Sequence, residues 1–573
     1  MKYKWNNTIL SPSIQKKAIQ LSKDANVSLV IAQLLLQRGI ETVDDVNDFF
    51  HPSLTHLHDP YLMPQMDRAV ARLNTAMGKK ERILIYGDYD VDGTTSVSLV
   101  YKFLLQFYSN VDYYIPDRYD EGYGVSYQGI DYAAETGVKL IIVLDCGIKA
   151  IDEIAYAKEK GIDFIICDHH VSDEVLPDAV AILNPKLDNS TYPYEHLSGC
   201  GVGFKFMQAF AESNGIDFSL LTPLLDLVAV SIVSDIVPMM GENRILTYYG
   251  LKQINSNPSV GLKAIIDICG LSGKEITMSD IVFKIGPRIN ASGRIQNGKE
   301  AVELLVEKDI QQALEKAHQI NHYNEARKDL DKNMTEEANN IVEKLSDLSE
   351  RRSIVLYNAA WHKGVIGIVA SRLTEVYYRP AVVLTHADGL ATGSARSVSG
   401  FDVYKAIESC KDLLESFGGH TYAAGLSMKV EHVEEFTQRF ETYVANNILP
   451  DQMDATLDID ATLSFKDITP KLFYELKKFQ PFGPDNQKPI FSTSNVYDYG
   501  TSKVVGRGQE HIKLELVDND SNKVMNGIAF GQSSQVRYIK TKQSFNICYT
   551  IEENTHKLGE LQLQILDIMP AKA

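Results

Sequence analysis

The sequence has few cysteines, no apolar run of about 20 residues and fewer basic than acidic residues, and each shortage excludes a class of protein. Six cysteines spread from Cys146 to Cys548 without a CxxC pair, which argues against a zinc ribbon or a disulfide framework. The N-terminal MKYKWNNTILSPS lacks the apolar core of a secretion signal, so a soluble cytoplasmic protein without membrane contact is expected. The net charge of -18 argues, taken alone, against a nucleic-acid partner.

The chain is long enough for three or four domains, because 573 residues exceed the ~250–300 at which a single core stops growing. From Glu81 to about Phe210, apolar runs such as RILIYGD, KLIIVLD and DFIICD alternate with segments of helical periodicity. This alternation predicts a parallel sheet with helices on both faces. Ligands bind such sheets beyond the carboxyl ends of the strands.

The segments around this sheet domain have other patterns. The first 80 residues have helical periodicity and predict a cap on the sheet domain. Apolar residues then recur every three or four positions from about 309 to 349, which predicts a connecting helix of roughly 60 Å. Strands and helices alternate again in a second α/β domain, and short strands with turn signals predict a small antiparallel barrel. The predicted segments are 1–80, 81–308, 309–349, 350–447 and 448–573.

Three histidines in HPSLTHLHDP, His51, His56 and His58, could bind a metal ion. Their spacing is irregular and prolines flank them, so a surface loop is the favoured interpretation.

Three aspartates follow the first strand of the sheet at every second position. In RILIYGDYDVDG these are Asp88, Asp90 and Asp92, and if strand geometry continued their side chains would share one face. Close carboxylates repel each other, so the pattern predicts a divalent cation. An EF-hand loop is disfavoured, because a strand precedes the motif and the later glutamate ligand is missing.

Two further strands end on acids or histidines. KLIIVLDCG ends at Asp145, and DFIICDHH ends at Asp168, His169 and His170. A single acid after a strand is often the N-cap of the next helix, but repetition at three strand ends favours one shared site.

A fourth candidate is Asp235, which ends the apolar segment LLDLVAVSIVSDIVP, whereas Asp226 in the same segment fits a cap or a buried hydrogen-bonded acid. Acids clustered around a cation make the total charge more negative. The net charge of the whole chain is therefore only modest evidence against a nucleic-acid partner.

The ordered motifs DYDVDG, VLDCG, CDHH and VSDIVP resemble those of the DHH phosphoesterase superfamily. PDRYDEGYG, LSGCGVGFK and GPRINASGR narrow the resemblance to RecJ-type single-strand DNA exonucleases. The resemblance continues through WHKGVIGIVASRL, GSARS, FGGHTYAAG and QPFGPDNQKPIF, and covers roughly residues 50 to 570. It implies a multidomain α/β fold with a parallel-sheet DHH domain, a long connecting helix, a smaller DHHA1-like domain and a C-terminal OB-fold barrel.

The resemblance also implies two divalent ions, manganese or magnesium, that assist hydrolysis of a phosphodiester. Asp90 and Asp145 would hold one ion, and Asp145 would bridge to the other. The ligands implied for the second ion are Asp92, Asp145, His169 and Asp235. Asp88 stands where relatives have a histidine, so the first ion would be held by carboxylates alone and its ligand set stays open.

The implied catalytic set also includes Asp168, which would orient the neighbouring imidazole of His169, and His170, which would face the substrate phosphate. Arginines outside such motifs are usually solvated surface residues, and FGGH could be a helix C-cap. Within the motifs we expect substrate contacts. The implied substrate-binding residues are Arg118, Arg288, Asn290, Arg294, Ser394, Arg396, Gly419 and His420.

We expect a monomeric exonuclease that degrades single-stranded DNA from its 5′ end in recombination and repair. The resemblance implies single-strand binding protein and a RecQ-type helicase as partners. Rival hypotheses are a phosphodiesterase acting on oligoribonucleotides or cyclic dinucleotides, and a non-catalytic single-strand binding module. An OB-fold binds single strands by stacking and backbone charge. Its candidates are Tyr497, Tyr499, Lys503, Arg507, His511 and Lys513.

Overall fold

The chain folds around a parallel sheet, a mixed sheet and a barrel, in a computed structural model that describes residues 3–345, 348–541, 543–554, 557 and 559–571. The N-terminal segment contains β1 (Lys4–Asn7), α1 (Pro12–Asp24), α2 (Leu29–Gln37), α3 (Val43–Phe50) and α4 (Met66–Gly78). The sheet domain begins with β2 (Arg82–Gly87), α5 (Val91–Leu104), β3 (Val111–Tyr114), α6 (Tyr127–Glu135), β4 (Val138–Leu144), α7 (Ile151–Glu159), β5 (Asp163–Cys167) and β6 (Ala181–Leu183). It continues with α8 (Gly199–Ser213), α9 (Leu225–Asp235), α10 (Gly241–Ser256), α11 (Val260–Ile268), α12 (Met278–Asp280), α13 (Gly286–Ile295) and α14 (Lys299–Leu305).

A long helix and two further domains follow. The connecting helix is α15 (Ile310–Glu343). The second domain contains β7 (Ile354–Tyr357), α16 (Ile366–Tyr377), β8 (Ala381–Ala387), β9 (Leu390–Arg396), α17 (Val403–Glu408), β10 (Leu414–His420), β11 (Ala423–Met428) and α18 (Val433–Asn447). The C-terminal domain contains β12 (Thr456–Ile459), β13 (Ala461–Thr462), α19 (Pro470–Lys477), β14 (Phe491–Asp498), β15 (Lys503–Val505), β16 (His511–Asp518), β17 (Val524–Ala529), α20 (Val536–Ile539), β18 (Phe545–Glu553) and β19 (Leu561–Pro570).

The predicted fold class is confirmed. The first sheet has the order β3-β2-β4-β5-β6, and all its strands are parallel. The second sheet, β10-β11-β9-β8-β7, is mixed, because β7 and β8 are parallel and the others antiparallel. In the C-terminal domain β14 pairs with both β18 and β16, which closes a barrel with β19 and β17.

The connecting helix is a single element. Its 34 residues correspond to roughly 51 Å at ~1.5 Å each, and it ends at Glu343, earlier than predicted. Residues 346–347 of the predicted helix lie outside the described residues. Its first half packs on the sheet domain through Ala313 and Ile320, and its second half packs on the second domain through Met334 and Val342. The helix therefore fixes the spacing of these two domains.

The N-terminal segment differs from the predicted cap. Helix α4 does pack on the sheet domain, but α1 to α3 share a hydrophobic core with the C-terminal barrel. Strand β1 pairs in parallel with β12, and the Trp5 indole N–H donates to the Asp567 carboxylate at 2.9 Å. The two ends of the chain thus form one folded unit, which helical periodicity alone could not indicate.

One described segment, Phe218–Asp235, is long and apolar enough to cross a membrane by length and mean hydropathy alone. The sequence expectation was that no such segment is present. Inside this protein 61% of Phe218–Asp235 is buried, and α9 lies in the core of the sheet domain. Its apolar character is explained by that packing.

The buried guanidinium of Arg244 joins three parts of the molecule. From α10 it donates to the carbonyl of Phe49 at the end of α3 and to the carbonyls of Lys478, Phe479 and Pro481 after α19, at 2.7 to 3.3 Å. Burial lowers its pKa to about 9. The carbonyls of Phe479 and Pro481 also accept from the Asn486 amide, whereas the side chain that reaches Phe49 and Lys478 is that of Arg244. Arg244 therefore joins the N-terminal segment and the C-terminal domain to the sheet domain.

We therefore expect Arg244→Met to destabilise the protein by about 3 kcal/mol, since the carbonyls of Phe49 and Lys478 would lose the Arg244 donor. Calorimetry should show a lower Tm, and limited proteolysis should cut first near the ends of the chain. The matched control is Arg68→Met, because Arg68 is exposed on α4. Equal melting temperatures for the two variants would contradict this role.

Candidate metal centre and substrate cleft

The first acidic motif does not continue the strand that precedes it. Strand β2 ends at Gly87, Asp88 lies just beyond it, and the carboxylate of Asp90 caps α5 by accepting from the backbone N–H of Gly93 at 2.9 Å. Asp92 therefore lies in the first turn of a helix. The expectation that Asp88, Asp90 and Asp92 share one strand face is wrong, because helix α5 begins within the motif.

Asp92 is held by the start of another helix. Its carboxylate accepts from the backbone N–H groups of Gly199 and Cys200 at 2.7 and 2.8 Å, and from the Ser231 hydroxyl at 2.7 Å. The N-terminus of α8 carries a positive partial charge and suits a carboxylate. Asp92 is consequently fixed in position by α8 and α9 rather than by its own loop.

Asp145 lies beyond β4 with a left-handed φ of 60°, and Gly199 packs directly against it. A Cβ atom on Gly199 would lie 2.6 Å from the Cβ of Asp145 and 2.7 Å from its Oδ1. A glycine at position 199 is therefore required for the observed position of this carboxylate.

The imidazole of His169 lies at the centre of the acidic cluster. Its Nε2 is 3.1 Å from Asp145 Oδ1 and 3.7 Å from a carboxylate oxygen of both Asp92 and Asp235. Asp235 reaches this point from the end of helix α9. Two groups of side chains each bring three ligand atoms within 4.8 Å of one another. The first group is Asp92, His169 and Asp235, and the second is Asp145, His169 and His170.

Asp168 orients His170 rather than His169, which corrects the sequence expectation. Its Oδ1 lies 2.7 Å from His170 Nδ1 and accepts from both histidine backbone N–H groups. Burial disfavours charge on His170, but the bond to Asp168 raises its pKa to about 9. Burial lowers the pKa of His169 to about 4. The His170 ring also faces the ring of His420 in the second domain, 6.5 Å away and 11° from parallel.

The electrostatics of the cluster fit a divalent cation. Burial, with repulsion by neighbouring aspartates, raises the pKa values of Asp88, Asp90, Asp145 and Asp235. Among the described residues, Asp88 Oδ1 and His169 Nδ1 have no hydrogen-bond partner. Carboxylate oxygens with an imidazole are ligands that manganese and magnesium accept, and a cation would relieve the repulsion.

A cleft of about 640 Å³ separates this cluster from the second domain. Asp90, Arg118 and Arg294 line one wall, and Ser394 and Arg396 line the other. None of these three arginines forms an ion pair with a carboxylate of the described chain. Burial, with the nearby Arg118, lowers the pKa of Arg294 to about 10 and also lowers that of Arg396. Guanidinium groups without carboxylate partners on both walls favour the binding of an anion in the cleft.

Other predicted residues lie as follows. Arg288 is outside the cleft, because it donates to the Asn321 side chain at 3.0 Å and to the Lys284 carbonyl at 2.8 Å. Asn290 lies on α13 between Arg288 and Arg294, without a hydrogen bond among the described contacts. Gly419 and His420 belong to strand β10, so the helix C-cap interpretation of FGGH is wrong.

Two alternatives for other residues are decided by their contacts. Asp226 is fully buried and accepts from the Ser259 backbone N–H at 2.7 Å, away from the cluster. His51, His56 and His58 form no metal-ligand group in the described part of the chain.

Several residues of the site were not predicted from the sequence. Among them are Gly199 and Cys200 of the LSGCGVGFK motif and Ser231 of helix α9, which hold Asp92. Lys363 and Gly364 also line the cleft, and the Gly364 carbonyl accepts from Arg294 at 3.0 Å. The glycines in these motifs were the available signal, because they mark close approach of backbone.

A parallel sheet whose carboxyl edge carries Asp168-His169-His170 beside converging aspartates defines a phosphoesterase of the DHH class. The family model described as the DHH family, N-terminal domain, matches residues 82–232, the DHHA1 domain matches 350–446 and the RecJ OB domain matches 459–567. The chain is 31% identical to the single-stranded-DNA-specific exonuclease RecJ of Haemophilus influenzae, over 96% of this chain and 98% of that protein. This chain therefore belongs to the RecJ family.

Further relatives agree. The RecJ of Bacillus subtilis is 36% identical over 88% of this chain, which spans 64% of that longer protein, and the Escherichia coli RecJ is 32% identical over 87% of this chain and 89% of that protein. The crystal structure of Thermus thermophilus RecJ in complex with Mn²⁺ has a TM-score of 0.85 at 26% identity, covering 100% of this chain and 80% of that one. A manganese-bound exonuclease RecJ structure has a TM-score of 0.60 at 32% identity, covering 70% of this chain and 98% of that one.

Gly199→Ala should displace Asp145 and lower manganese binding and turnover by roughly 100-fold, because a misplacement of ~1 Å can cost that much. Calorimetric titration with Mn²⁺ and rate measurements test this. Gly201→Ala is the matched control, since its Cβ would meet mainly the flexible Leu197 side chain, at 3.3 Å. Equal manganese affinity in the two variants would contradict the role of Gly199.

Proposed function

We propose that this protein is a metal-dependent exonuclease that degrades single-stranded DNA in the 5′ to 3′ direction. The observation that carries the proposal is one cleft with a buried acidic cluster on one wall and unpaired arginines on both walls. Hydrolysis of a phosphodiester uses both features, because the arginines hold its negative charge and the acidic cluster binds the metal ions that assist the reaction. The names of the relatives support single-stranded DNA as the substrate, and the polarity rests on the family resemblance.

Two divalent ions, manganese or magnesium, fit the acidic cluster. Asp92, Asp145, His169 and Asp235 would hold one of them, which the convergence on His169 Nε2 supports. Asp145 with Asp90 would hold the other, and the position of His170 in the second ligand group supports adding it to this set. Bound there, the ions would neutralise charge on the phosphate and lower the pKa of an attacking water.

The chain's own residues would seat the substrate. Arg118, Arg294 and Arg396 surround the cleft without carboxylate partners, and α16 begins beside them at Ile366. The N-terminus of a helix attracts phosphate, and a Cβ on Gly367 would lie 3.1 Å from the Arg396 guanidinium. We infer that this wall binds the terminal 5′ phosphate. Arg288, which the resemblance also implied as a substrate contact, is not part of this proposal, because its guanidinium donates to Asn321 and Lys284 outside the cleft.

The shape of the cleft also supports an end of a single strand as substrate. Its volume lies within the range of small-ligand sites, about 300–1,000 Å³, which supports the seating of a strand end rather than a long stretch of nucleic acid. We further propose that the protein acts as a cytoplasmic monomer in recombination and repair, with single-strand binding protein and a RecQ-type helicase as partners.

Degradation of 5′-labelled and 3′-labelled strands, duplex DNA and RNA with Mn²⁺, Mg²⁺ or chelator tests the function. We expect mononucleotides from the 5′ end of single-stranded DNA only, and only with an ion present. Asp145→Ala should abolish turnover but keep the fold, because the carboxylate shared by both ion sites is lost. Preferred cleavage of oligoribonucleotides, or near-normal turnover of Asp145→Ala, would overturn the proposal.

Arg396→Ala should reduce the advantage of 5′-phosphorylated over 5′-hydroxyl strands by roughly 10-fold or more, since a charge-assisted contact to the terminal phosphate is lost. Initial rates on both strands, with each enzyme, give the comparison. Arg439→Ala is a matched control on the same domain, because Arg439 forms a solvent-exposed ion pair with Asp412 and does not line the cleft. If Arg396→Ala kept the full advantage of 5′-phosphorylated strands, the terminal phosphate would have to be recognised by other residues.

A further inference from the structure

A second and larger groove, of about 910 Å³, lies outside the substrate cleft. Helix α10 of the sheet domain and helix α19 of the C-terminal domain form two of its walls, and the chain around α12 forms a third. Although the whole chain carries a net charge of -18, four lysines and only two glutamates line this groove. The local charge is therefore opposite to that of the protein.

Two of these lysines rest on aromatic rings and form no ion pair in the described chain. Lys252 Nζ lies 4.3 Å from the centre of the Tyr248 ring, and Lys478 Nζ lies 5.1 Å from that of Tyr474. The Tyr474 side chain is 65% exposed, so one face is open to a ligand. The other lining lysines, Lys477 and Lys488, are paired with glutamates. An exposed aromatic ring beside ammonium groups without carboxylate partners is a combination that binds single-stranded nucleic acid.

The walls of this groove are held in place by a buried residue, Arg244. Arg244 fixes the ends of α3 and α19 against α10 through the hydrogen bonds described above. The two walls that carry Lys252 and Lys478 therefore keep their separation, and a ligand would lose little free energy to rearrangement of the groove.

One continuous helical run connects this groove to the substrate cleft. It comprises α12, a π-helical turn at Ile281–Ile285 and α13. Ser279 lines the groove, Gly286 contacts Ser234 beside Asp235, and Arg294 lines the cleft. From Met278 to Arg294 the run measures about 24 Å at ~1.5 Å per residue.

The π-helical turn displays an aromatic side chain between the two sites. Pro287 lacks a backbone N–H, and its ring crowds the carbonyl of Phe283 four residues earlier, which accounts for the widened turn. The Phe283 side chain is 72% exposed. A strand that leaves the cleft along this run would pass an exposed ring before it reaches the groove.

We propose that this groove binds the downstream, 3′ part of the same single strand whose 5′ end lies in the cleft. Tyr474 stacks on a base, and Lys252 and Lys478 contact phosphates. At the ~3.4 Å per nucleotide of a stacked strand, about seven nucleotides span the helical run. This inference rests on the proposed function and adds a second binding site to it, distinct from the barrel face around Tyr499 and Lys513.

The test measures binding of 5′-phosphorylated oligothymidylates by fluorescence anisotropy with the metal chelated. We expect the double variant Lys252→Ala/Lys478→Ala, and separately Tyr474→Ala, to bind a strand of about 20 nucleotides about tenfold more weakly. A strand of about four nucleotides should bind both variants as well as it binds the unaltered protein, since it cannot reach the groove. The salt dependence of long-strand binding should fall by about 0.7 in slope for each phosphate contact removed.

Controls separate this proposal from its alternatives. Lys139→Ala removes an exposed lysine at the start of β4, on the edge opposite the metal centre, and Tyr474→Phe keeps the stacking ring; both should bind long strands normally. Unchanged long-strand affinity in the groove variants overturns the proposal. If those variants instead lose binding of an acidic peptide, the groove serves a protein partner. A protein that binds no single strand at all contradicts the proposed function itself.

Discussion

Mutual repulsion among buried carboxylates at the carboxyl edge of the parallel sheet is the constraint on which the rest of the structure depends. Asp88, Asp90, Asp145 and Asp235 all have raised pKa values there, because burial and their neighbours disfavour ionisation. The surrounding backbone nevertheless fixes part of the cluster, because the α8 N-terminus holds Asp92 and Gly199 packs against Asp145. Because the backbone holds these carboxylates close together, a bound cation is needed to offset their mutual repulsion.

The cleft combines this negative cluster with a positive wall, which resolves the apparent conflict between an acidic chain and a nucleic-acid substrate. The net charge averages over the whole surface, whereas Arg118, Arg294 and Arg396 concentrate positive charge inside the cleft. The two walls belong to different domains, and α15 packs on both. The spacing between acid cluster and arginines is therefore set by a helix, a rigid element.

The sequence could predict the strand ends, because β4 and β5 are continuous apolar runs that stop at Asp145 and Asp168. It could not place Asp92, since a strand and a helix start are equally compatible with alternate aspartates until α5 is known to begin at Val91. Nor could it predict that Asp168 orients His170, which depends on side-chain rotamers. The packing of α1 to α3 on the barrel was also beyond reach, because β1 and β12 are about 450 residues apart in the chain.

That packing changes how the C-terminal barrel must be regarded. The sequence predicts the barrel as a segment of its own, from about residue 448 to the last strand. In the structure, Phe49 and Leu35 complete the apolar core of the barrel domain, and Arg38 donates to Asn486 at 2.9 Å. Removal of the barrel alone would expose these apolar side chains and leave Arg244 without most of its acceptors. The barrel domain therefore shares its apolar core with the N-terminal segment, and Arg244 anchors both against the sheet domain, so the three parts are packed together rather than joined only by a linker.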